Sequence, residues 1–270
     1  MIDSSLILFV EALAVEAGKA ILKVYDSSQC DISIKADGSP LTVADSIANN
    51  IIIAGLREKY PNIQALSEEN VDSFILAESS NKRYWLIDPL DGTKEFIAKN
   101  GEFTVNIALV DNGKVLLGVI YAPVLDLLYS AFRGNGAVKV QDGHRKYIKV
   151  SDLNSINVWR VLGSRSHTSE KFKEWVERLD FISFIPKGSS LKFCLIAEGA
   201  ADIYPRLGPT SLWDTAAGQC ILEEAGGSVR SLENGNELSY EDPFKIINPD
   251  FVALGKIVPE FLSVKFKNIR

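Results

Sequence analysis

Trp85-Leu86-Ile87-Asp88-Pro89-Leu90-Asp91-Gly92-Thr93-Lys94-Glu95-Phe96 places two carboxylates and a hydroxyl directly behind a short apolar run. Trp, Leu and Ile suit a buried strand, and the Asp-Pro and Asp-Gly pairs that follow are typical of turns. Thr93 to Phe96 can open a helix whose first amides point back into the loop. The stretch predicts a strand that ends in an acidic loop. Its carboxylates suit a hard cation such as magnesium, and free amides near Gly92 and Thr93 suit phosphate oxygens.

Two other interpretations of this stretch stay open at this point. Asp-Pro and Asp-Gly also form solvated surface turns. The haloacid-dehalogenase phosphatase loop also joins aspartates to a threonine, but it spaces them two residues apart and usually lies near the N-terminus. Asp88 and Asp91 are three residues apart and lie beyond residue 80. Further carboxylates elsewhere in the chain would decide between these interpretations.

Length and composition exclude several classes of protein. A chain of 270 residues with 46% hydrophobic and 24% charged residues is typical of a soluble globular protein of one large or two smaller domains. The net charge of -6 argues against a nucleic-acid partner, which needs a basic surface. Cys30, Cys194 and Cys220 lack a paired spacing, which predicts neither a zinc site nor a disulfide framework and suits a reducing cytoplasm. We expect no signal peptide and no transmembrane segment.

The rest of the chain predicts two halves of different character. Helices are expected at residues 4–24 and 46–56 in the first half, with antiparallel strands at 104–110, 115–121, 127–132 and 137–140. A polar run at 142–152 predicts a boundary, so we divide the chain into 1–150 and 151–270. In the second half we expect strands at 158–162 and 201–204, and helices at 168–179, 189–198 and from 210 or 211 to 225.

Further acidic residues have ordinary structural explanations when each is taken alone. Asp45 falls in the first turn of the second helix, where a carboxylate caps amides. Glu68 and Glu69 can be a solvated pair, and Asp214 can interact with the dipole of the last helix. Their combination with the acidic loop is what points to chemistry.

Taken together, these segments resemble a known signature. Glu68-Glu69, Asp88-Pro89-Leu90-Asp91-Gly92-Thr93 and Trp213-Asp214-Thr215-Ala216-Ala217-Gly218 resemble that of the inositol monophosphatase superfamily of magnesium-dependent, lithium-inhibited phosphatases. Within it, the 3′(2′),5′-bisphosphate nucleotidases are most similar at Lys94-Glu95-Phe96, Ser164-Arg165-Ser166-His167, Gly188-Ser189-Ser190-Leu191-Lys192-Phe193-Cys194 and Ala201-Asp202-Ile203-Tyr204-Pro205-Arg206. The chain departs at Ser67, where many relatives have glycine, and at Leu212, where a glutamate is common. Neither departure removes a ligand.

The resemblance implies an α/β fold with α-β-α-β-α layers, an N-terminal antiparallel sheet with helices, and a smaller C-terminal α/β half. It implies a cytoplasmic enzyme, monomeric or homodimeric, with peripheral attachment to the inner membrane as an alternative. The implied reaction removes the 3′-phosphate of adenosine 3′,5′-bisphosphate to give AMP and phosphate, in sulfur assimilation and nucleotide recycling. A phosphatase for inositol phosphate or another sugar phosphate is the alternative, and a non-catalytic nucleotide sensor is a remote one.

The resemblance also implies two or three Mg²⁺ ions, held by carboxylates from separate segments. Glu68, Asp88 and the Leu90 carbonyl would hold the activating metal. Asp88, Asp91 and Asp214 would hold the metal beside the leaving oxygen. Two such ions neutralise phosphate charge and place water in line.

Catalytic and substrate-binding roles follow from the same resemblance. Thr93, hydrogen-bonded to Asp45, would orient and deprotonate the attacking water, with Glu68 completing the catalytic group. The amides of Gly92 and Thr93 would take the phosphate, and Asp214 would also face the substrate.

The second half would hold the nucleotide. Lys192 and Arg206 are natural cationic partners for the phosphate that is not cleaved. His167 is expected to contact the substrate, although a core position is the alternative. Ser189 and Ser190 can hydrogen-bond the nucleotide or merely cap the helix that follows.

Overall fold

The architecture is described by a computed structural model for residues 4–27, 32–34, 40–74, 83–152, 158–164, 169–179 and 181–256. The helices are α1 (Ser4–Tyr25), α2 (Val43–Lys59), α3 (Thr93–Ile97), α4 (Glu170–Val176), α5 (Leu191–Ala197) and α6 (Leu212–Glu224). The strands are β1 (Ile32–Ile34), β2 (Pro40–Thr42), β3 (Gln64–Ser67), β4 (Arg83–Asp91), β5 (Thr104–Asp111), β6 (Lys114–Ala122), β7 (Leu127–Phe132), β8 (Ala137–Gln141), β9 (His144–Ile148), β10 (Trp159–Gly163), β11 (Ile182–Pro186), β12 (Ile203–Arg206), β13 (Ser228–Ser231) and β14 (Phe251–Leu254). Among these residues, no helix is both long and apolar enough to cross a bilayer.

A seven-stranded sheet in the order β3-β4-β5-β6-β7-β8-β9 forms the first half. Its neighbours pair antiparallel except β3 and β4, which are parallel. Asn112 and Gly113 join β5 to β6 with φ values of 49° and 76°. Two positive φ values in a two-residue loop match the twist of a hairpin. The predicted meander is confirmed.

The predicted boundary region contains one more strand than expected. Asp142 and Gly143 form the turn between β8 and β9, with φ values of 51° and 73°. Four of the five residues of β9 are exposed, so the strand carries no alternating apolar pattern that would identify it. The sequence analysis therefore did not predict the strand His144–Ile148 within the polar run at residues 142–152.

The smaller sheet has the order β11-β10-β12-β14-β13 and is mixed. β10 pairs parallel with β11 and β12, and β14 pairs antiparallel with β12 and β13. The flanking helices are shorter than predicted, because α4 begins at Glu170 and α5 begins at Leu191. Ser189 has a φ of 48° and cannot belong to a right-handed helix.

Alternation within the strands explains the layers. In β5, Val105, Ile107 and Leu109 pack with α1 and α2, whereas Ala108 and Val110 pack on the opposite face with α6. The smaller sheet covers the other side of α5 and α6, and α4 lies on its outer face. The predicted α-β-α-β-α arrangement is confirmed.

The middle helical layer packs closely against the large sheet. A Cβ at Gly118 of β6 would lie 2.9 Å from the Ala217 Cα, so only glycine permits this approach of α6. The core between the sheets takes side chains from both sequence halves, from Leu66 to Ala253. The division at residue 150 stays a prediction.

Candidate active site

Two parallel strands bring the first two carboxylates together. Residue 67 of β3 lies beside Ile87 of β4, and the Glu68 amide donates to the Ile87 carbonyl at 3.1 Å. Because parallel strands end at the same edge of a sheet, Glu68 and Asp88 emerge side by side. Asp88 is buried, whereas Glu68 is half-buried.

An irregularity in β4 presents the second aspartate of the loop. The register with β5 shifts between Asp88 and Asp91, and the Asp88 Oδ1 accepts from the Leu90 amide at 3.1 Å. Pro89 lies where the pairing with β5 is interrupted. Proline has no amide hydrogen to donate to a neighbouring strand, so it is tolerated at a bulge of this kind. Both carboxylates thereby belong to the end of one strand instead of a separate loop, which refines the prediction.

Asp91 is held by the start of α5. Its Oδ2 accepts from both the amide and the hydroxyl of Ser190 at 2.6 Å, and the Asn106 amide nitrogen lies 3.4 Å away. The hydroxyl of Ser190 also lies 3.1 Å from the Asp214 carbonyl oxygen. The predicted contact of Ser190 with nucleotide stays a prediction, and its observed contacts are with Asp91.

Asp214 lies in the first turn of α6, as predicted. Its Oδ2 accepts from the Ser211 amide at 2.8 Å in a capping box. The packing of α6 across the large sheet carries this turn to the end of β4. Asp214 therefore lines one cleft of about 810 Å³ with the three other predicted carboxylate ligands, Glu68, Asp88 and Asp91.

Asp45 and Thr93 complete the predicted catalytic set. Asp45 is buried and accepts from the amide and hydroxyl of Thr42 at 2.8 and 2.6 Å, which caps α2. The Thr93 hydroxyl donates to the Leu90 carbonyl at 3.4 Å. The hydrogen bond between Thr93 and Asp45 stays a prediction.

Burial and mutual repulsion raise the pKa values of two carboxylates in the acidic cleft, Asp88 and Asp214. Burial raises the pKa of Asp88 well above its usual range, and the charges of Glu68, Asp91, Asp214 and Asp45 raise it further. Burial and the Asp91 charge raise the pKa of Asp214 to about 8. The acidic cleft thus holds more negative charge than its surroundings neutralise.

The acidic cleft fits hard divalent cations by its chemistry. Among the described residues, no three histidine, cysteine or acidic side chains are placed so that together they could hold a metal ion. Glu68, Asp88, Leu90, Asp91 and Asp214 nevertheless line one cleft, and carboxylate and carbonyl oxygens suit magnesium. A cation there would relieve the repulsion that raises the pKa of Asp88.

The two predicted cations lie in the second half. Lys192 is buried, and its Nζ donates to the carbonyl oxygens of Ser189 and Lys187 at 2.6 and 3.4 Å. Burial, helped by the Arg206 charge, lowers the pKa of Lys192 to about 8, and the charges of Asp91, Glu95 and Glu102 partly offset this effect. The Nη2 of Arg206 donates to the Pro209 carbonyl at 2.9 Å, and its buried Nε finds no acceptor among the described residues.

A second, inner cleft adjoins the acidic one. Its volume is about 170 Å³, and its lining includes Lys192, Ser189 and the buried ring of Tyr204. Asp91, Gly92, Lys94, Glu95, Arg206, Thr210 and Asp214 line both clefts. The predicted contact through His167 falls outside the described residues.

Gly92 is required by the backbone between the two clefts. It has a φ of 91°, and a Cβ there would lie 3.2 Å from the Glu102 carbonyl oxygen and 3.3 Å from the Ser189 Cβ. A side chain would therefore be strained and would narrow the passage. Gly92 and Thr93 line the acidic cleft, and the donation of their amides to phosphate stays a prediction.

Two residues near the site escaped the sequence analysis. Glu102 is buried and accepts from the Gly188 amide at 2.8 Å and from the Lys187 Nζ at 3.1 Å, which fastens the turn before α5. Asn106 lies within the otherwise apolar middle of β5. A polar residue in a fully buried strand needs a hydrogen-bonding partner, and this signal could have identified Asn106.

Comparison with known proteins agrees with this geometry. The family model described as "Inositol monophosphatase family" matches residues 3–261. The chain is 48% identical to the 3′(2′),5′-bisphosphate nucleotidase CysQ of Escherichia coli (strain K12) over 240 residues, 88% of this chain and 95% of that protein.

Solved structures agree as well. CysQ from Bacteroides thetaiotaomicron has a TM-score of 0.79 at 36% identity, covering 94% of this chain and 98% of that one. The extragenic suppressor protein suhB from Bartonella henselae has a TM-score of 0.78 at 26% identity, covering 98% and 99%. From the family match, the identity to a nucleotidase and the shared fold, we conclude that the chain belongs to the inositol monophosphatase family.

Proposed function

We propose that this protein is a 3′(2′),5′-bisphosphate nucleotidase that hydrolyses the 3′-phosphate of adenosine 3′,5′-bisphosphate to AMP and phosphate. The observation that carries the proposal is the pairing of an acidic cleft with an adjoining cleft that contains Lys192 and Arg206. A substrate with two phosphates suits this pairing, because one phosphate can meet metal ions while the other meets cationic side chains. The 48% identity to CysQ supports the same activity.

The scissile phosphate belongs in the acidic cleft. The family is one of magnesium-dependent phosphatases, and we assign two or three Mg²⁺ ions to this chain. Glu68, Asp88, Asp91, Asp214 and the Leu90 carbonyl would hold them. When bound, magnesium neutralises phosphate charge and lowers the pKa of water. The amides of Gly92 and Thr93 would donate to phosphate oxygens and orient the ester.

The attacking water is assigned to Thr93 and Asp45. Thr93 stands at the start of α3, two residues beyond Asp91, with its hydroxyl oriented by the Leu90 carbonyl. Asp45 is buried and lies close enough to Asp88 for its charge to contribute to the raised pKa of that residue. In this assignment Thr93 positions the water and passes its proton towards Asp45, and Glu68 completes the catalytic group.

The phosphate that is not cleaved belongs in the inner cleft. Lys192 is buried in the lining of this cleft with only partial compensation from Asp91, Glu95 and Glu102, and the Arg206 Nε is buried without an acceptor among the described residues. An incoming phosphate would give both groups charge-assisted partners. We assign Ser189, Ser190 and His167 to the nucleotide as secondary contacts.

The same scaffold supports a second candidate function. An inositol phosphate or another sugar phosphate needs the acidic cleft but not the inner cations. A nucleotide sensor would need neither Thr93 nor the carboxylates, so the presence of the whole set argues for catalysis. We place the enzyme in the cytoplasm, where buried, unpaired Cys194 and Cys220 stay reduced, and its oligomeric state, monomer or homodimer, stays a prediction.

Phosphate release from a substrate panel tests the proposal. Adenosine 3′,5′-bisphosphate, 3′-AMP and inositol 1-phosphate are compared with magnesium and with a chelator, and Asp91→Asn serves as the inactive control. We expect magnesium-dependent release with a higher kcat/KM for the bisphosphate than for the others. A preference for inositol 1-phosphate would favour the sugar-phosphate alternative. Tight binding of the nucleotide without release of phosphate would favour a nucleotide sensor.

A further inference from the structure

Asp91 is connected to the interior of the large sheet by a chain of buried polar groups. Thr104 and Asn106 belong to β5, and Ser190 precedes α5. Their exposed fractions are 0%, 1% and 2%, so water does not compete with the hydrogen bonds between them. None of the three residues has a role in the reaction proposed above beyond the nucleotide contact assigned to Ser190.

The direction of each hydrogen bond follows from the groups available. The Thr104 hydroxyl donates to the Asn106 Oδ1 at 2.9 Å, which turns the Asn106 amide nitrogen towards the Ser190 Oγ at 2.8 Å. The Ser190 oxygen then acts as an acceptor, and its own hydrogen is left for the Asp91 Oδ2 at 2.6 Å. The longer contact of this hydroxyl, to the Asp214 carbonyl at 3.1 Å, competes less well.

These hydrogen bonds involve only one of the two carboxylate oxygens of Asp91. Oδ2 accepts from the Ser190 amide and hydroxyl and lies near the Asn106 amide nitrogen. Oδ1 accepts no hydrogen bond from the residues that the structure describes. The carboxylate is therefore held by one oxygen, while the other has no hydrogen bond from the described residues and belongs to a residue that lines the acidic cleft.

We infer that Ser190 and Asn106 are positioning residues that orient Asp91, so that it presents one oxygen to a divalent cation in the acidic cleft. The inference rests on the proposed function, because it assumes that Asp91 is a metal ligand. It extends that function by giving Ser190 a role towards the metal in addition to the proposed contact with the nucleotide. It also makes ligand geometry depend on the contact between the two halves, since Ser190 and Asp91 are 99 residues apart.

Mn²⁺ binding without substrate tests the inference. Free Mn²⁺ is measured by its electron paramagnetic resonance signal for the wild type and for Ser190→Ala. Outer partners of a metal ligand contribute about tenfold to a hundredfold in affinity, and we expect a loss in this range. Asn106→Leu has a similar shape without donors, and we expect about a tenfold loss because both Ser190 donors remain. If Ser190→Ala fails to fold, Asn106→Leu carries the test.

Ser130→Ala is the matched control. Ser130 is also fully buried and also donates to a carboxylate at 2.6 Å, but its partner is Glu11 of α1, away from the acidic cleft. We expect this variant to lose stability and keep wild-type Mn²⁺ affinity. If Ser130→Ala weakened Mn²⁺ binding as much as Ser190→Ala, the effect would be general destabilisation and the inference would be overturned.

A double-mutant cycle separates positioning from a purely structural role. Where Asp91 is already replaced by Asn, Ser190→Ala should weaken Mn²⁺ binding far less than it does in the wild type. Equal losses in both backgrounds would overturn the inference, and so would Mn²⁺ binding by Ser190→Ala within twofold of a tightly binding wild type. A wild type that binds no Mn²⁺ would overturn the proposed function together with the inference.

Discussion

The acidic cleft and the inner cleft share a wall and differ in the charges that each adds to it, since the acidic cleft adds Glu68 and Asp88 and the inner cleft adds Lys192. In the acidic cleft, burial and neighbouring carboxylates raise the pKa of Asp214 to about 8. In the inner cleft, burial and the neighbouring Arg206 lower the pKa of Lys192 to about 8. The acidic cleft favours a cation, whereas Asp91, Glu95 and Glu102 partly compensate the charge of Lys192 in the inner cleft. Selectivity for a bisphosphate can thus arise from a carboxylate-rich cleft and a lysine-containing cleft that share a wall.

The two clefts also differ in how they are built. The acidic cleft uses the adjacent ends of β3 and β4 and the first turn of α6, which are rigid elements packed on the large sheet. The inner cleft uses the turn before α5, where Ser189 has a φ of 48°. We expect substitutions in the acidic cleft to affect the chemical step and substitutions in the inner cleft to affect the choice of substrate.

Asp91→Asn should have the largest effect. The amide replaces an anionic ligand by a neutral one of similar shape, and metal ions supply several kcal/mol of charge stabilisation. We expect a loss of phosphate release of about a thousandfold or more at saturating magnesium, with the fold retained. Circular dichroism controls for folding. Turnover like that of the wild type would show that the acidic cleft does not perform the chemistry.

Thr93→Ala should affect the acidic cleft differently. The hydroxyl orients water and contributes little to holding the ions, so kcat should fall by about a hundredfold or more while Mn²⁺ affinity stays within about twofold. Steady-state kinetics and Mn²⁺ titration measure the two quantities. An unchanged kcat with weaker metal binding would instead place Thr93 among the metal ligands.

Lys192→Met should affect only the inner cleft. The substitution keeps the aliphatic chain and removes the charge, and a charge-assisted contact contributes about 1.5–3 kcal/mol. We expect kcat/KM for adenosine 3′,5′-bisphosphate to fall by about ten- to a hundredfold, with little change for 3′-AMP. Arg206→Ala should also lower kcat/KM for the bisphosphate, with a smaller loss for 3′-AMP because Arg206 lines both clefts.

Two controls test whether the effect of Lys192→Met is specific to the inner cleft. Lys139→Met removes another largely buried lysine, paired with Glu198 at 2.7 Å away from both clefts, and should leave both substrates unaffected. A double-mutant cycle combines Lys192→Met with deletion of the 5′-phosphate from the substrate. Strict additivity would mean that Lys192 does not contact that phosphate, and the sugar-phosphate alternative would then be preferred.

The smallest effect concerns pH. Burial lowers the pKa of Lys192 to about 8, so this side chain is charged below that pH and neutral above it. We expect the ratio of kcat/KM for the bisphosphate to that for 3′-AMP to fall as pH rises through about 8, by at most about tenfold per pH unit. The ratio cancels titrations common to both substrates. A ratio that is flat in the wild type, or that falls equally in Lys192→Met, would contradict the assignment.

Local spacing in the sequence predicted a large part of the fold and of the acidic cleft. The hairpin at Asn112-Gly113 and the β4 carboxylates follow from patterns a few residues long, because turns and strand ends are local structures. The capping position of Asp214 is local for the same reason. Strand β9 was missed because its side chains are mostly exposed, and α5 begins later than predicted because Ser189 adopts a left-handed conformation.

Local sequence patterns therefore specify which residues carry charge and at which ends of strands and helices they lie. Only the tertiary structure decided that Ser190 meets Asp91 across 99 residues, and that Asn106 of β5 stands behind both. It also decided the burial that shifts the pKa values of Asp214 and Lys192 in opposite directions. The physical reason is that such contacts and desolvation arise from the packing of α5 and α6 between two sheets, which no local spacing of residues specifies.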